Sequence, residues 1–331
     1  MLLSTNRLPS QRLLDTAWDK PRFVQCIQAH NEERIIQAVM GSIYDEVDAI
    51  LVIEGATVAR PNRTDDGHSV DDTVCKIKNF MEHHDPDNKV TLIQIDRPFV
   101  DLEEMKNTFL FYVNDGDWVI INDADEFYLP KDIRRVRELT YIYNDAIEFV
   151  PMFLHFYRDM KHIIRPDEEN QPQHQRIFKY RTGMHYKSHP VITYPNGMCS
   201  YFTPGLQPMR YILPDVYIWH LGFVKTDEEV RAKAAFYKQE LQKHGDRGVE
   251  AHNEKTEAFL NRTENLDNIL LYDGVLPSAL DSIIVPDDKI YKEFTFDNWK
   301  FAEPYCLERP PNCWVMTKTG QWNDFSNAVR Q

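Results

Sequence analysis

Four short apolar runs alternate with segments of helical periodicity in the amino-terminal part of the chain. The runs resemble strands that are buried on both faces of a parallel sheet, and they cover residues 23–27, 49–53, 90–95 and 118–121. Apolar residues also recur at helical spacing, which predicts helices over residues 35–43, 74–81 and 101–113. Strands and helices in this order form right-handed parallel crossovers. The pattern therefore predicts a nucleotide-binding α/β sheet.

The remainder of the chain has a different pattern. Strand-like segments occur at residues 146–156, at 176–190 (two short strands joined by a turn at Thr182 and Gly183) and at 215–221. Residues 166–175 are polar and loop-like. The predicted strand at residues 215–221 places His220 at its carboxyl end, and a long charged helix capped by Thr226 follows it. After Gly245 the sequence predicts short helices and proline-punctuated loops.

Three carboxylates follow the fourth apolar run: Asp123, Asp125 and Glu126. The carboxyl end of a strand is where open α/β sheets bind ligands. Carboxylates held close together there are costly without a cation, and Mg²⁺ or Mn²⁺ takes such oxygen ligands and shares them with phosphate. The alternative is a solvated acidic turn, which is the usual meaning of an isolated Asp-x-Asp. The preceding apolar run favours a metal site that holds a phosphate-bearing substrate.

Two further strand ends carry polar residues. After the first strand, Asn31 is predicted to cap a helix, with Glu32 and Glu33 in its first turn. Glu32 and Glu33 either complement the helix dipole or contact a bound nucleotide. After the second strand, Glu54 can accept hydrogen bonds from a ribose or a base. No Gly-x-Gly-x-x-Gly follows a strand, which argues against a dinucleotide cofactor.

The polar segment 59–72 contains Pro61 and Gly67, and we interpret it as a mobile loop. The aspartates of this segment are typical of a charged, solvent-exposed stretch.

Composition limits the classes of partner. The chain has 331 residues and a formal net charge of −14, which argues against binding nucleic acid or an anionic membrane surface. Its five cysteines show no zinc-site spacing, and reduced thiols in a cytoplasmic protein fit them best. Neither a signal peptide nor a run of apolar residues long enough to span a bilayer is present. We therefore expect a cytoplasmic enzyme.

Several of these segments occur together, and in the same order, in one known family. The segments are Gln-Ala-His-Asn-Glu-Glu at residues 28–33 with Glu-Gly at 54–55, Lys106-Asn107, Asp-Ala-Asp-Glu at 123–126, Arg-Ile-Phe at 176–178 with Gly-Met-His-Tyr at 183–186, and His-Leu-Gly-Phe at 220–223. Together they resemble family-two glycosyltransferases with the A-type (GT-A) glycosyltransferase fold. The likeness runs from about residue 24 to residue 241, although the family usually has Asp at the position of Glu54.

The resemblance implies a fold and a domain division. The fold is a Rossmann-like mixed sheet flanked by helices. One glycosyltransferase domain would cover residues 20–245, with a nucleotide-sugar half at about 20–130 and an acceptor half at about 131–245. Residues 246–331 would form a helical and loop extension.

The resemblance also implies a reaction and a set of site residues. A sugar would pass, with inversion, from a nucleotide-diphosphate sugar (UDP-sugar favoured) to a hydroxyl of a glycan or another acceptor. The donor would contact Ala29, His30, Asn31, Glu32, Glu54, Lys106, Asn107, Asp123, Ala124 and Asp125. Asp123, Asp125 and His220 would hold Mn²⁺ or Mg²⁺, and Asp125 is the stronger candidate for a direct ligand.

Inversion also needs a base for the acceptor proton. Glu126, His189 and Glu148 are candidates, with Asp159 as a further alternative, and the sequence does not decide between them. Arg176 and Lys187 either steer phosphate or are solvated surface residues. Trp219 and the aromatic residues of 149–157 either stack on a sugar or pack in the core.

Two other classes of protein are compatible with these residues. A metal-dependent nucleotidyltransferase or phosphohydrolase could use the same acids and histidines. A carbohydrate-binding protein without catalytic activity is the other alternative.

Overall fold

The computed structural model describes residues 20–157, 159–164, 175–188, 191–195, 210–242, 269–271, 314–316 and 322–324. The strands are β1 (Phe23–Ala29), β2 (Ala49–Glu54), β3 (Val90–Ile93), β4 (Trp118–Asp123), β5 (Glu126–Phe127), β6 (Glu148–Tyr157), β7 (His162–Ile164), β8 (Ile177–Lys179), β9 (His185–Ser188), β10 (Val191–Thr193), β11 (Arg210–Phe223), β12 (Ile269–Leu271), β13 (Trp314–Met316) and β14 (Trp322–Asp324). The helices are α1 (Ile36–Ser42), α2 (Thr73–His83), α3 (Leu102–Phe109), α4 (Pro130–Ile142) and α5 (Asp227–Gln242), with a short 3₁₀ turn at Tyr44–Glu46. Within these residues, no helix combines the length and apolar character needed to cross a membrane.

One large mixed sheet organises the chain, and its strand order is β14-β13-β11-β6-β8-β4-β1-β2-β3. Strands β3, β2, β1 and β4 are parallel to one another, as the sequence predicts. Strand β8 is antiparallel to both β4 and β6, whereas β6 and β11 are parallel to each other. The predicted fold class, a mixed α/β sheet flanked by helices, is confirmed.

The apolar runs are buried on both faces because successive side chains of a strand point to opposite sides. In β4, Trp118 and Ile120 belong to one core cluster, and Val119 and Ile121 belong to a second. Helices α1, α2 and α4 contribute to the first cluster, and α3 contributes to the second. This layering explains why the four runs lack the alternation typical of a half-exposed sheet.

The predicted helix after β1 begins later than its pattern indicates. Helix α1 starts at Ile36, has no side-chain cap and carries no acidic residue in its first turn. The prediction that Asn31 caps this helix is therefore wrong, as is the placement of Glu32 and Glu33 in the first turn. Asn31 instead has a positive φ of 56° and accepts a hydrogen bond from the Val70 backbone. Its side chain serves a tertiary contact that local sequence does not show.

Three other predicted features differ from the structure. Strands β8 and β9 are present on either side of the turn at Gly183, but they do not form a hairpin, since β8 pairs with β4 and β6 and β9 pairs with β10. Pro130, which the sequence predicts to help end the preceding element, instead begins helix α4, a position that proline favours. The described residues of the predicted extension at 246–331 are the strands β12, β13 and β14. Strand β13 joins the main sheet by pairing with β11.

Candidate functional site

A cleft of about 260 Å³ lies at the carboxyl ends of the parallel strands. The end of β1 and the turn after it contribute residues 28–32, and the turn after β4 contributes residues 123–125. Gly55, the segment 60–62, helix α3, Lys225 and helix α5 form the remaining lining. This is the sheet edge at which ligands bind in open α/β folds. The structure thus brings together seven of the predicted donor contacts: Ala29, His30, Asn31, Glu32, Asp123, Ala124 and Asp125.

Asp125 lines this cleft and approaches His220, which comes from a distant part of the sequence and is not among the lining residues. The β5 residue Glu126 pairs with His220 of β11, and the Leu221 amide donates a hydrogen bond of 2.9 Å to the Asp125 carbonyl. These contacts leave Asp125 Oδ1 at 3.8 Å from His220 Nε2. Burial lowers the pKa of His220 to about 4, so the imidazole is neutral near pH 7. A carboxylate oxygen and a neutral imidazole nitrogen therefore face each other.

Two lysines of the α5 region lie on the other side of Asp125. Lys225 Nζ is 3.6 Å from Asp125 Oδ2, and Lys233 lines the same cleft. Burial disfavours the charged form of Asp125, but His220, Lys225 and Lys233 together hold the pKa of its carboxyl well below the usual range. Burial also opposes the charge of Lys225, but Glu32 and Asp125 keep its pKa above the ordinary value. The cleft therefore holds an ionised carboxylate beside ammonium groups.

Helix α5 is fixed over the cleft at its amino-terminal end. Glu229 accepts a hydrogen bond of 2.7 Å from the Thr226 amide, and the Thr226 hydroxyl accepts one of 3.2 Å from the Glu229 amide. This reciprocal capping box confirms the predicted cap. Arg34 forms an ion pair with Glu229, and the Arg60 guanidinium lies 4.5 Å from the centre of the Phe236 ring. These contacts join α5 to the segments that follow β1 and β2.

Asp123 belongs to a different network from that of Asp125. Arg176 Nη2 donates to Asp123 Oδ2 at 2.9 Å and to Glu126 Oε1 at 2.6 Å. The Asp123 amide in turn donates to Glu126 Oε2 at 3.1 Å. Arg176 is 3% exposed and Glu126 is 1% exposed. The network holds the turn that presents Asp125, and this geometry favours a turn-holding role for Glu126 over the role of a base.

Glu148 lies too far down the sheet to reach the cleft. Phe178 of β8 pairs with Val119 of β4 on one side and with Glu148 of β6 on the other. Glu148 is therefore level with Val119, which precedes Asp123 by four residues along β4. At about 3.3 Å per residue, that offset is about 13 Å. The Glu148 side chain is fully buried and accepts a hydrogen bond of 2.9 Å from Gln175. The prediction that Glu148 is a base is therefore not supported by its position.

Glu54 supports a loop instead of lining the cleft. Its fully buried carboxylate accepts hydrogen bonds from the Ser69 amide and hydroxyl, both at 2.7 Å, and from Gln94 at 2.7 Å. His68 Nδ1 lies 2.8 Å away. Glu54 thus anchors the segment 59–72, which the composition predicts to be a mobile loop, through hydrogen bonds to Ser69. Glu54 is not among the residues that line the cleft, and its contact with a nucleotide stays a prediction.

Lys106 and Asn107 are also outside the lining of the cleft. Asn107 exchanges two hydrogen bonds with the backbone of Tyr186, at 2.7 and 3.0 Å, and so fixes β9 against α3. Lys106 is 1% exposed, with Nζ 5.3 Å from the centre of the Tyr186 ring. Burial lowers the pKa of Lys106 to about 7. Their positions give both residues a supporting role.

The other sequence candidates have varied positions. His189 lies outside the described residues, and Lys187 is exposed on β9. Asp159 receives hydrogen bonds from the backbone and the ring of His162. Trp219 is 3% exposed and stacks on Phe156 within the core. Of its two predicted roles, this position favours core packing over stacking on a sugar.

His30 lines the cleft, and its Nε2 atom is buried. The residue is 9% exposed, and Nε2 has no hydrogen-bond partner within the described residues. Burial, with a contribution from Arg60, lowers the pKa of His30 to about 4. The ring is therefore neutral near pH 7.

The sequence predictions missed the cationic part of the site, which consists of Arg60, Lys225 and Lys233. One signal was present. Glu229, Ala232, Lys233 and Phe236 line the cleft and have the i, i+3, i+4, i+7 spacing of one helix face.

No protein-family model and no curated protein sequence matches this chain. Among solved structures, the chain is similar to TarS of S. aureus, with 11% identity over 73% of this chain and 71% of that one and a TM-score of 0.38. It is also similar to the mannosyltransferase PcManGT of Pyrobaculum calidifontis in complex with GDP-Man and Mn²⁺ (22% identity, 43% and 40% of the two chains, TM-score 0.31). A third is glucosyl-3-phosphoglycerate synthase from Mycobacterium tuberculosis in complex with Mn²⁺, UDP and phosphoglyceric acid (17% identity, 40% and 43% of the two chains, TM-score 0.30). This chain spans less than half the length of the latter two proteins.

Proposed function

We propose that this chain is a glycosyltransferase of the family-two type. It transfers a sugar from a nucleotide-diphosphate sugar to a hydroxyl of a glycan or another acceptor, with inversion at the anomeric carbon. The observation that carries the proposal is the position of Asp125, which lines a cleft together with Lys225 and Lys233 and lies 3.8 Å from His220 Nε2. The order of family-like segments along the sequence supports it independently.

The cationic residues of the cleft suit the diphosphate of such a donor. Lys225, Lys233 and Arg60 come from two separate segments and line one cavity in a chain of net charge −14. A partly enclosed cavity strengthens their interaction with phosphate relative to the same charges in water. These residues would bind the two phosphates and stabilise the negative charge that grows on them as the sugar leaves.

The residues at the cleft also fit a divalent cation. Asp125 and His220 provide one oxygen and one nitrogen donor 3.8 Å apart, which is a donor set that Mn²⁺ accepts. Within the described residues, no group of three or more histidine, cysteine or acidic side chains is arranged to hold a metal. With two ligands from the protein, the remaining coordination positions of the cation would be filled by phosphate oxygens and water. When bound, the cation supplies Lewis-acid stabilisation of the leaving diphosphate.

The nucleoside would lie along residues 28–31 at the end of β1. His30 places a neutral ring against that part of the cleft. Following the family resemblance, we propose UDP as the nucleotide of the donor. Of the three candidate bases, Glu126 and Glu148 are buried in networks of their own, so His189 is the candidate that we carry forward.

A donor screen tests the proposal. Purified protein is mixed with UDP-, GDP-, CDP- and ADP-sugars in the presence of Mn²⁺, with and without a chelator, and both the melting temperature and donor turnover are measured. We expect one nucleotide class to raise the melting temperature in a chelator-sensitive way. Saturation to about 100 times Kd adds about 2.7 kcal/mol to the free energy of unfolding, a shift that is readily measured. No stabilisation by any nucleotide sugar would refute the proposal.

Matched variants identify the site. Asp125→Asn and Lys225→Met are expected to abolish the stabilisation by donor. Asp87→Asn and Lys78→Met change the same charges on exposed residues away from the cleft, and they should behave as wild type. Release of phosphate or nucleotide without sugar transfer to any of a panel of acceptors would favour a phosphohydrolase. Sugar binding that survives Asp125→Asn would favour a carbohydrate-binding protein.

A further inference from the structure

A second histidine lies behind His220, on the side away from Asp125. His155 of β6 and His220 of β11 are in register on neighbouring parallel strands. Their Nδ1 atoms are 2.7 Å apart, which is a hydrogen-bond distance. None of the segments that resemble the glycosyltransferase family includes His155.

Packing fixes both rings in this arrangement. The His155 ring stacks on Phe153 at 5.2 Å with an interplanar angle of 12°. The His220 ring meets His155 edge-on at 4.8 Å and meets Phe223 edge-on at 6.1 Å. The rings therefore cannot exchange this hydrogen bond for another by a small rotation.

With both imidazoles neutral, the hydrogen bond allows two arrangements of the proton. A neutral imidazole carries one N–H and one lone pair, so one Nδ1 must donate and the other must accept. If His220 donates, its Nε2 lone pair faces Asp125. If His155 donates, an N–H of His220 faces Asp125 instead. At 3.8 Å, however, His220 Nε2 and Asp125 Oδ1 are too far apart for the hydrogen bond that would favour the second arrangement.

We propose that His155 is a positioning residue that accepts the Nδ1 proton of His220 and thereby directs the Nε2 lone pair of His220 towards the cation site. The inference rests on the proposed function, because it gives His220 the role of a metal ligand. Partners of this kind fix the tautomer and the orientation of a ligating histidine in metal sites. His155 itself does not contact the cleft: its Nδ1 faces His220, and its ring lies against phenylalanines.

Metal affinity in two variants provides the first test. His155→Ala removes the acceptor, whereas His155→Asn places an amide oxygen near the position of Nδ1. Mn²⁺ binding in the presence of UDP is measured by calorimetry for the wild type, both variants and a control, His83→Ala, which changes an exposed histidine of α2. We expect His155→Ala to weaken Mn²⁺ binding about 10- to 100-fold. His155→Asn should restore most of the affinity, and His83→Ala should leave it unchanged.

The tautomer of His220 provides the second test, and it needs no metal. Long-range ¹H–¹⁵N spectra of the histidine rings report which nitrogen carries the proton, and His220→Asn assigns the signal. We expect a protonated Nδ1 on His220 in the metal-free wild type and in His155→Asn, and a changed or averaged signal in His155→Ala. Circular dichroism of each variant confirms that it is folded.

The two tests separate the inference from the proposed function. If the wild type binds no Mn²⁺, the metal role of His220 fails, and the ring spectra still decide whether His155 sets its tautomer. If the wild type binds Mn²⁺ and a folded His155→Ala binds it equally well, the positioning role is overturned. A wild-type His220 protonated on Nε2 also overturns it.

Discussion

Replacing Gly222 by alanine tests whether the position of the His220 ring decides metal binding. A Cβ at Gly222 would lie 2.2 Å from Cε1 and 2.3 Å from Nε2 of His220. Non-bonded heavy atoms settle at about 3.5–4.0 Å, so the ring must retreat by about 1.5 Å. The retreat moves Nε2, which is the atom that faces Asp125.

The expected magnitude follows from this displacement. A misplacement of about 1 Å in a catalytic site can cost about 100-fold in rate. We therefore expect Gly222→Ala to weaken Mn²⁺ binding at least tenfold and to lower kcat/KM for the donor by about 100-fold. If the ring cannot move, overpacking costs about 1–3 kcal/mol of stability instead, and the melting temperature falls.

Gly41 provides a matched control. A Cβ at Gly41 would meet Phe80 at 3.6 Å, an ordinary contact, and the residue lies inside helix α1. Gly41→Ala should therefore stabilise the protein by up to about 1 kcal/mol and leave Mn²⁺ binding unchanged. The pair of glycine variants separates the effect on His220 from any general effect of an added methyl group.

A double-mutant cycle completes the test. In a His220→Ala background the clash no longer exists, so Gly222→Ala should cause no further loss of Mn²⁺ affinity. Calorimetry with Mn²⁺ and UDP measures all four proteins. The reasoning is refuted if folded Gly222→Ala binds Mn²⁺ as wild type does, or if its effect persists in full without the His220 ring.

Three further predictions concern the supports of the site. Arg176→Met should destabilise the protein by about 3–5 kcal/mol in urea unfolding, because it leaves Glu126 buried and unpaired; a loss below 1 kcal/mol would contradict the ion-pair network. Glu54→Gln should cost about 2 kcal/mol and speed limited proteolysis within residues 59–72, since a carboxylate that accepts from Ser69 is lost; an unchanged cleavage rate would show that the segment is held by other contacts. Arg34→Met should change the unfolding free energy by less than about 1 kcal/mol, because its ion pair is more than a third exposed, and a larger loss would mean that it fixes helix α5.

The parallel half of the fold was predictable because its signals are local. Each strand of β1 to β4 is a short apolar run, and periodicity indicates a helix after each of β1, β2 and β3, whereas helix α4 was not predicted. The second half was less predictable, since its strands pair with distant partners. Strand β8 lies between β4 and β6, and nothing in the residues around Gly183 reveals that it does not pair with β9.

The candidate site was predictable where strand ends carry the chemistry. Asp125 and His220 each follow a recognisable strand, and the structure places them together. Glu54 also follows a strand, but its carboxylate is taken by Ser69 and Gln94, which lie far along the sequence. Position at a strand end thus predicts access to the site edge, whereas tertiary hydrogen bonds decide whether the side chain is available.

The charge of the cleft shows why overall composition was a poor guide to its ligand. A net charge of −14 argues against binding polyanions over an extended surface, but it says nothing about a single cavity. The acidic residues of the lining, which are Glu32, Asp123, Asp125 and Glu229, would alone repel a diphosphate. Arg60, Lys225 and Lys233 line the same cavity and supply three positive side chains, although no short stretch of sequence contains all three. A divalent cation at Asp125 and His220 would then make the cavity net positive, so the proposed metal and the lysines of α5 act on the same leaving group.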